Sequence, residues 1–229
     1  MPVFILSQDA TFPSARLANP DGILAIGGDL SQKRLLSAYS QGIFPWYTEG
    51  EPIIWWSPDP RTVLFPEQLH VSRSMRRILN RNPFSIKINH NFTEVIRLCQ
   101  SVDRKNEQGT WITKEMINAY IGLHQAGYAH SIEVYQRKEL VGGFYGIALG
   151  RCFFGESMFH IQPNASKYGF IKFVQQILKE GFLFIDCQIS SHHLRSLGAH
   201  DIPRERYLIL LKEGVKKKPV KWDWKNWQI

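Results

Sequence analysis

The sequence predicts a mixed α/β (α+β) fold in two parts: a small N-terminal domain over residues 1–62 and a larger domain over residues 63–229, with the tail from about residue 213 peripheral. Two observations predict it. Residues 140–188 read as strand, strand, helix, strand. Apolar runs with glycines cover 141–149 and 152–161, and Asn164 opens a helix that carries Phe170, Phe173, Val174 and Ile177 at three- and four-residue spacing until Gly181 stops it. The run over 182–188 is nearly all apolar, as in a strand buried on both faces. A strand, a helix of roughly ten to fifteen residues and a second strand form a crossover, which makes the two strands parallel. Residues 1–62, by contrast, are dense in turn residues and aromatics and lack such a unit.

Taken in order, Asp21-Gly22 and Gly27-Gly28 mark turns around a short apolar run. Ser31 then caps a helix with Leu35, Leu36 and Tyr39 inward, ending near Gly42. Trp46, Trp55 and Trp56 follow among prolines. They form either a small aromatic core against the larger domain or, for Trp46 above all, part of a cleft between the two domains. Residues 69–81 form a two-faced helix, with Val71, Met75, Ile78 and Leu79 inward and Arg73, Arg76, Arg77 and Arg81 outward. Arginines without acidic partners repel one another, so this face is either solvated or meets a phosphate backbone. Residues 84–88 read as a strand, and Asn91 caps a helix with Glu94 at the capping-box position. Thr113 opens another helix that Gly127 closes, with Trp111 just ahead of it as a second aromatic candidate for the cleft. Residues 129–143 form a hairpin turning at 136–138. After the central unit come a short helix at 192–197, a final strand at 207–211 and a basic, aromatic tail.

Composition narrows the class. The 229 residues carry 28 Lys and Arg against 20 Asp and Glu, a net charge of +8 that suits a polyanionic partner. Cys99, Cys152 and Cys187 lie in apolar segments without CxxC spacing, which argues for a reducing compartment, against disulfides and against zinc. The first residues lack a positively charged leader, and no run approaches the roughly 20 apolar residues of a membrane span, so a cytoplasmic protein is expected. The histidines are scattered, with His192-His193 the one adjacent pair, so no metal set is expected. P-loop and GxSxG motifs are absent.

Three polar residues interrupt the apolar centre: Glu156, Asp186 and Gln188. Strand alternation places Asp186 and Gln188 on one face. A carboxylate in such a setting is either pinned by a backbone amide or a buried arginine, or belongs to a site. Two of them on neighbouring strands beside an amide favour a site.

The element order from residue 63 looks like that of GNAT-type acyltransferases, in which two central parallel strands splay and hold the acyl donor. Coenzyme A-dependent members cradle pyrophosphate on a glycine-rich loop, and residues 162–167 here, QPNASK, contain no glycine. No cofactor is expected. Finally, the segments PDGILAIGGDLS, GIFPWY, PIIWWSPDPR, HVSRSMRR, GTWIT, AHSIEV, LVGGFYG, FFGESMF, NASK, IDCQ and SLGA…IPR resemble, in order and spacing, the leucyl/phenylalanyl-tRNA–protein transferases over nearly the whole chain. The resemblance implies a small N-terminal domain on a GNAT-like domain. It also implies transfer of leucine or phenylalanine from aminoacyl-tRNA to the N-terminal amine of proteins beginning with Arg or Lys, marking them for degradation. It puts Asp186 and Gln188 beside the attacking amine and Glu156 against a substrate cation. It gives the side-chain pocket to Trp46, Trp111, Phe144, Phe153, Met158, Phe173 and Ile185. Acceptor-stem phosphates fall to the helix of Arg73, Arg76, Arg77 and Arg81, with the protein acting as a monomer and without ATP or metal. The competing readings are an acyl-coenzyme A transferase and a non-catalytic RNA-binding module.

Overall fold

The computed structural model describes residues 3–101 and 112–219. The chain begins with β1 (Phe4–Leu6) and β2 (Ile23–Gly27), then α1 (Gln32–Ser40), β3 (Phe44–Pro45) and β4 (Ile54–Trp56). These four strands form one sheet in the order β1-β2-β4-β3. Ser31 caps α1 by accepting from the Arg34 amide, and Leu35, Ala38 and Tyr39 are the apolar residues it buries. Trp55 fills the centre of this small unit at zero exposure and donates its indole N–H to the Gly27 carbonyl, 2.8 Å away.

The larger part runs β5 (Arg61–Leu64), α2 (Arg73–Arg81), β6 (Ser85–Ile88), α3 (Phe92–Ser101), α4 (Lys114–Gln125), β7 (Ala129–Gln136), β8 (Glu139–Leu149), β9 (Cys152–His160), α5 (Ala165–Lys179), β10 (Phe184–Gln188), α6 (His192–Ser196), β11 (His200–Ile202) and α7 (Arg204–Lys216). Its seven-stranded sheet has the order β11-β5-β10-β9-β8-β7-β6. The fold is mixed α/β. β9 and β10 pair in parallel, joined by α5 as the crossover pattern requires, and every other neighbouring pair in this sheet is antiparallel. One face of the sheet packs on α2 and α5, with Phe170, Phe173, Val174 and Ile177 in that core. The opposite face packs on α3, α4, α7 and the N-terminal unit.

Two expectations differ from this architecture. The run at 207–211, expected as a strand, lies inside helix α7. Its buried residues are Tyr207, Leu211 and Gly214, at intervals of four and three, while Ile209 is 65% exposed. Five consecutive apolar residues fit either period, and the helical one wins here because α7 packs on α1 and β9. The short strands β1, β5 and β11 give no period-two signal in the sequence, and β5 spans the expected division between residues 62 and 63. Contact between the two parts is close at Gly42. It has φ +78°, and a Cβ there would stand 2.7 Å from the Tyr207 ring.

Candidate active site

The parallel strands β9 and β10 separate because each carries a register shift at the same level of the sheet. Their pairing runs from Phe184 opposite Cys152 to Asp186 opposite Phe154 and then stops. On β9, Gly155 faces Gly146 and Ser157 faces Tyr145, which leaves Glu156 as an extra residue. On β10, Asp186 faces Val63 and Gln188 faces Thr62, which leaves Cys187 as the extra one. Such bulges bend a strand and re-aim its side chains. A cleft of about 440 Å³ opens where the strands part, lined by Glu156 and Gln188 and by Phe44, Pro45 and Trp46 of the N-terminal unit.

The bulge also changes the expected geometry of Asp186 and Gln188. Strict alternation put them on one face. With Cys187 inserted and Gln188 at φ +60°, their side chains reach different partners. The Gln188 carboxamide donates to Glu156 Oε1 at 3.1 Å. Asp186 has no exposed surface and is not among the residues lining the cleft. Arg61 grips it with both arms of the fork, Nε to Oδ1 at 2.8 Å and Nη2 to Oδ2 at 2.6 Å. Tyr207 donates to Oδ2 at 2.7 Å, and the Gln188 backbone N–H donates to Oδ1 at 2.9 Å. The pinned-carboxylate reading left open by the sequence therefore describes Asp186 itself. Arg61 also donates to the Gly42 carbonyl at 3.2 Å and lies over the rings of Phe44 and Tyr207. Burial opposes the Arg61 charge, but Asp186 and Tyr207 outweigh it and raise its pKa.

Glu156 has a different environment. Tyr39 on α1 lies 2.7 Å from Oε1 and Tyr120 on α4 lies 2.9 Å from Oε2, while the two phenol oxygens are 2.5 Å apart. Burial pushes the Glu156 carboxyl up to about 7, against the hydrogen bonds from Tyr39, Tyr120 and Gln188. Burial likewise raises both tyrosines well above the usual phenol range. A carboxyl poised near neutrality beside a primary amide, at the floor of a largely apolar cleft, can meet a cation or exchange a proton.

Of the expected pocket residues, Trp46, Phe144, Met158 and Ile185 line the cleft. Phe153 and Phe173 are fully buried behind it, 4.7 Å apart, with Phe173 packed edge-on against Phe144. Trp111 lies outside the described residues. The sequence reading missed Phe170 and His193, which also line the cleft, Tyr39 and Tyr120, which hold Glu156, and Arg61 and Tyr207, which hold the buried Asp186. Burial depresses His193 to about 4, so it faces the cleft as a neutral ring.

Arg73, Arg76, Arg77 and Arg81 are all exposed on α2, which Met75 anchors, and none forms an ion pair among the described residues. Among those residues no group of three or more His, Cys, Asp or Glu could hold a metal ion, and no helix is long and apolar enough to cross a membrane.

Residues 63–212 match the family model described as leucyl/phenylalanyl-tRNA protein transferase, and residues 28–59 match the model of its N-terminal domain. A leucyl/phenylalanyl-tRNA–protein transferase of Syntrophobacter fumaroxidans is 53% identical over 215 residues, 94% of this chain and 92% of that one. The Nitrosospira multiformis protein of the same name is 51% identical over 228 residues, 98% of each chain. Among solved structures, L-PGS from Bacillus licheniformis matches with a TM-score of 0.41 and 12% identity, over 74% of this chain and 54% of that one.

Proposed function

Because this chain belongs to the leucyl/phenylalanyl-tRNA–protein transferase family, and is therefore an aminoacyltransferase working from aminoacyl-tRNA onto protein, we propose that it moves leucine or phenylalanine onto the N-terminal α-amine of proteins beginning with Arg or Lys. The tagged proteins become substrates for degradation, and the enzyme acts as a cytoplasmic monomer. The observation that carries the reading is the Glu156–Gln188 pair at the floor of an apolar cleft where β9 and β10 part.

The chemistry asks little of the protein beyond placement. The aminoacyl ester is already activated, and an α-amine with a pKa near 8 is about one-tenth neutral at pH 7. The neutral amine attacks the ester carbonyl, the C–N bond forms, the C–O bond to the ribose breaks, and the amine's proton ends on the ribose oxygen. Holding the two reactants in line supplies much of the rate. Gln188 aligns the amine. Asp186 is a positioning residue, fixing the Gln188 backbone from the buried side through its bond to the Gln188 N–H. Glu156 faces a substrate cation, since a cation needs a carboxylate near it. Phe144, Met158, Phe170 and Ile185 take the leucine or phenylalanine side chain, with Phe153 and Phe173 behind them, and Trp46 flanks the mouth; the family resemblance alone adds Trp111 to this set. In this reading the unit of residues 1–62 supplies Tyr39 and Trp46, and the unit from residue 63 supplies Glu156 and Gln188.

Arg73, Arg76, Arg77 and Arg81 hold acceptor-stem phosphates without reading sequence. Replacing Arg77 with alanine is expected to weaken tRNA binding several-fold and to lower the slope of log K against log salt by about 1, with kcat at saturating tRNA unchanged. A filter-binding titration at several salt concentrations checks this.

The function itself is tested by mixing the protein with radiolabelled leucyl-tRNA and two peptides, one beginning with Arg and one with Ala. Label is expected on the Arg peptide alone, without ATP or coenzyme A. Binding of tRNA with transfer to neither peptide overturns the proposal.

A further inference from the structure

The side chains of Glu156, Tyr39 and Tyr120 form a closed ring of three contacts whose hydrogen count does not balance for an ionised carboxylate. Three contacts join them: Tyr39 to Oε1 at 2.7 Å, Tyr120 to Oε2 at 2.9 Å, and phenol to phenol at 2.5 Å. An ionised Glu156 leaves two phenolic hydrogens for three contacts. If both phenols donate to the carboxylate, their own oxygens face each other with lone pairs only. A third hydrogen, on Oε2, closes the ring: Oε2–H donates to Tyr120, Tyr120 donates to Tyr39, and Tyr39 donates to Oε1. The second lone pair of Oε1 takes the Gln188 amide. Buried polar groups are rarely left unpaired, and an unmade hydrogen bond here would sit at zero exposure on Tyr120 and close to zero on Tyr39.

We infer that Glu156, Tyr39 and Tyr120 share three protons in the resting enzyme, so that the carboxyl stays neutral until a substrate ammonium group docks on it and drives one proton out. This rests on the reading of the cleft as the site where amines meet the aminoacyl ester. The surroundings agree from every side. Asp186 on β10 opposes a second negative charge, Gln188 and His193 face the carboxyl's surroundings uncharged, and the Tyr145 ring on β8 packs edge-on against Tyr120. Arg61 is committed to Asp186, with Tyr207 beside it. No cation forms an ion pair with Glu156 among the described residues. The burial that pushes Glu156 up to about 7 works in the same direction. On docking, the neutral Glu156 carboxyl and the substrate ammonium become a carboxylate–ammonium pair, and the carboxyl's one proton leaves to solvent. Both phenols can then turn to the carboxylate, and their mutual contact loosens. Tyr39 and Tyr120 are thus positioning residues that set the charge of the group receiving the cation.

The ammonium has two sources, the α-amine of the esterified amino acid and the N-terminus of the acceptor. Proton release on binding separates them, measured by titration calorimetry at pH 6 in two buffers of different ionisation enthalpy. One arm uses 3′-leucylamino-3′-deoxyadenosine, whose amide link cannot transfer, against its α-hydroxy counterpart. The other uses a peptide beginning with Arg, with a free or an acetylated N-terminus. The expected result is release of close to one proton with one of the two free amines, none with its blocked counterpart, and none with either in the Glu156→Gln variant, titrated at concentrations raised until its weakened binding saturates. The probe that releases the proton identifies the cation. Binding without release overturns the inference. So does release that persists in Glu156→Gln, because the proton then comes from the amine. Failure of both amines to bind overturns the proposed function instead.

Discussion

Replacing Arg61 with alanine is expected to cost about 3–5 kcal/mol of stability and about a hundredfold in transfer rate. The stability loss follows from what the substitution leaves behind. Asp186 has no exposed surface, and without the guanidinium its charge stays buried with, among the described residues, Tyr207 and the Gln188 N–H against it. The rate loss follows from geometry. Arg61 fixes Asp186, Asp186 fixes the Gln188 backbone in its positive-φ bend, and a displacement of about 1 Å at a positioned group can cost that factor. The paired substitution Arg61→Met with Asp186→Leu separates the two effects. Apolar residues of similar size often replace a buried ion pair at little cost, so the double variant should recover part of the stability seen by urea unfolding. Its kcat should stay low while its affinity for tRNA is unchanged. A double variant that transfers at the wild-type rate would remove Asp186 from the positioning of Gln188.

The same network shows what the sequence could and could not disclose. The two-faced helix α2 and the amphipathic α5 were legible because a 3.6-residue period needs only local information. So was the parallel crossover. The bulges were not. Nothing in FIDCQ marks Cys187 as an inserted residue, and reading alternation through it put Asp186 and Gln188 on one face. Tyr39 and Tyr120 fall on the buried stripes of α1 and α4, where spacing identifies core positions but says nothing of a hydroxyl whose partner is 117 or 36 positions away. Arg61 meets Asp186 across 125 positions, in a four-residue strand too short to show a pattern. Glu156 and Gln188 stand out in the sequence because polar residues in apolar strands do so without knowledge of partners, whereas the apolar lining was expected from the family resemblance alone. The groups that tune them were missed because that knowledge is what they require.

Replacing Glu156 with glutamine is expected to raise stability at pH 8 and to leave it nearly unchanged at pH 4. Glu156 has its folded-state pKa raised to about 7, above the ordinary carboxyl value of 4.5. A raised pKa means that the group's favourable share of stability is fully present below about pH 4.5 and is lost as pH rises through 7. Over that interval the loss reaches about 2–3 kcal/mol, moderated because the carboxyl borders an open cleft. The wild-type profile alone does not reveal it. His130 and His193 have folded values depressed to about 3 and about 4, so they add stability as pH rises and lose it as pH falls below about 6.5. Both histidines are present in the variant, so their contributions cancel in the difference between the two proteins. Glutamine also suits the ring of three contacts, since its amide N–H donates where the protonated carboxyl donates and its carbonyl accepts from Tyr39. The melting temperature of the variant should therefore exceed that of the wild type by roughly 4–12 °C at pH 8, with the gap closing towards pH 4. A gap that is constant with pH, or that has the opposite sign at pH 8, would mean that the resting carboxyl is already ionised and that its tyrosines hold it as an anion.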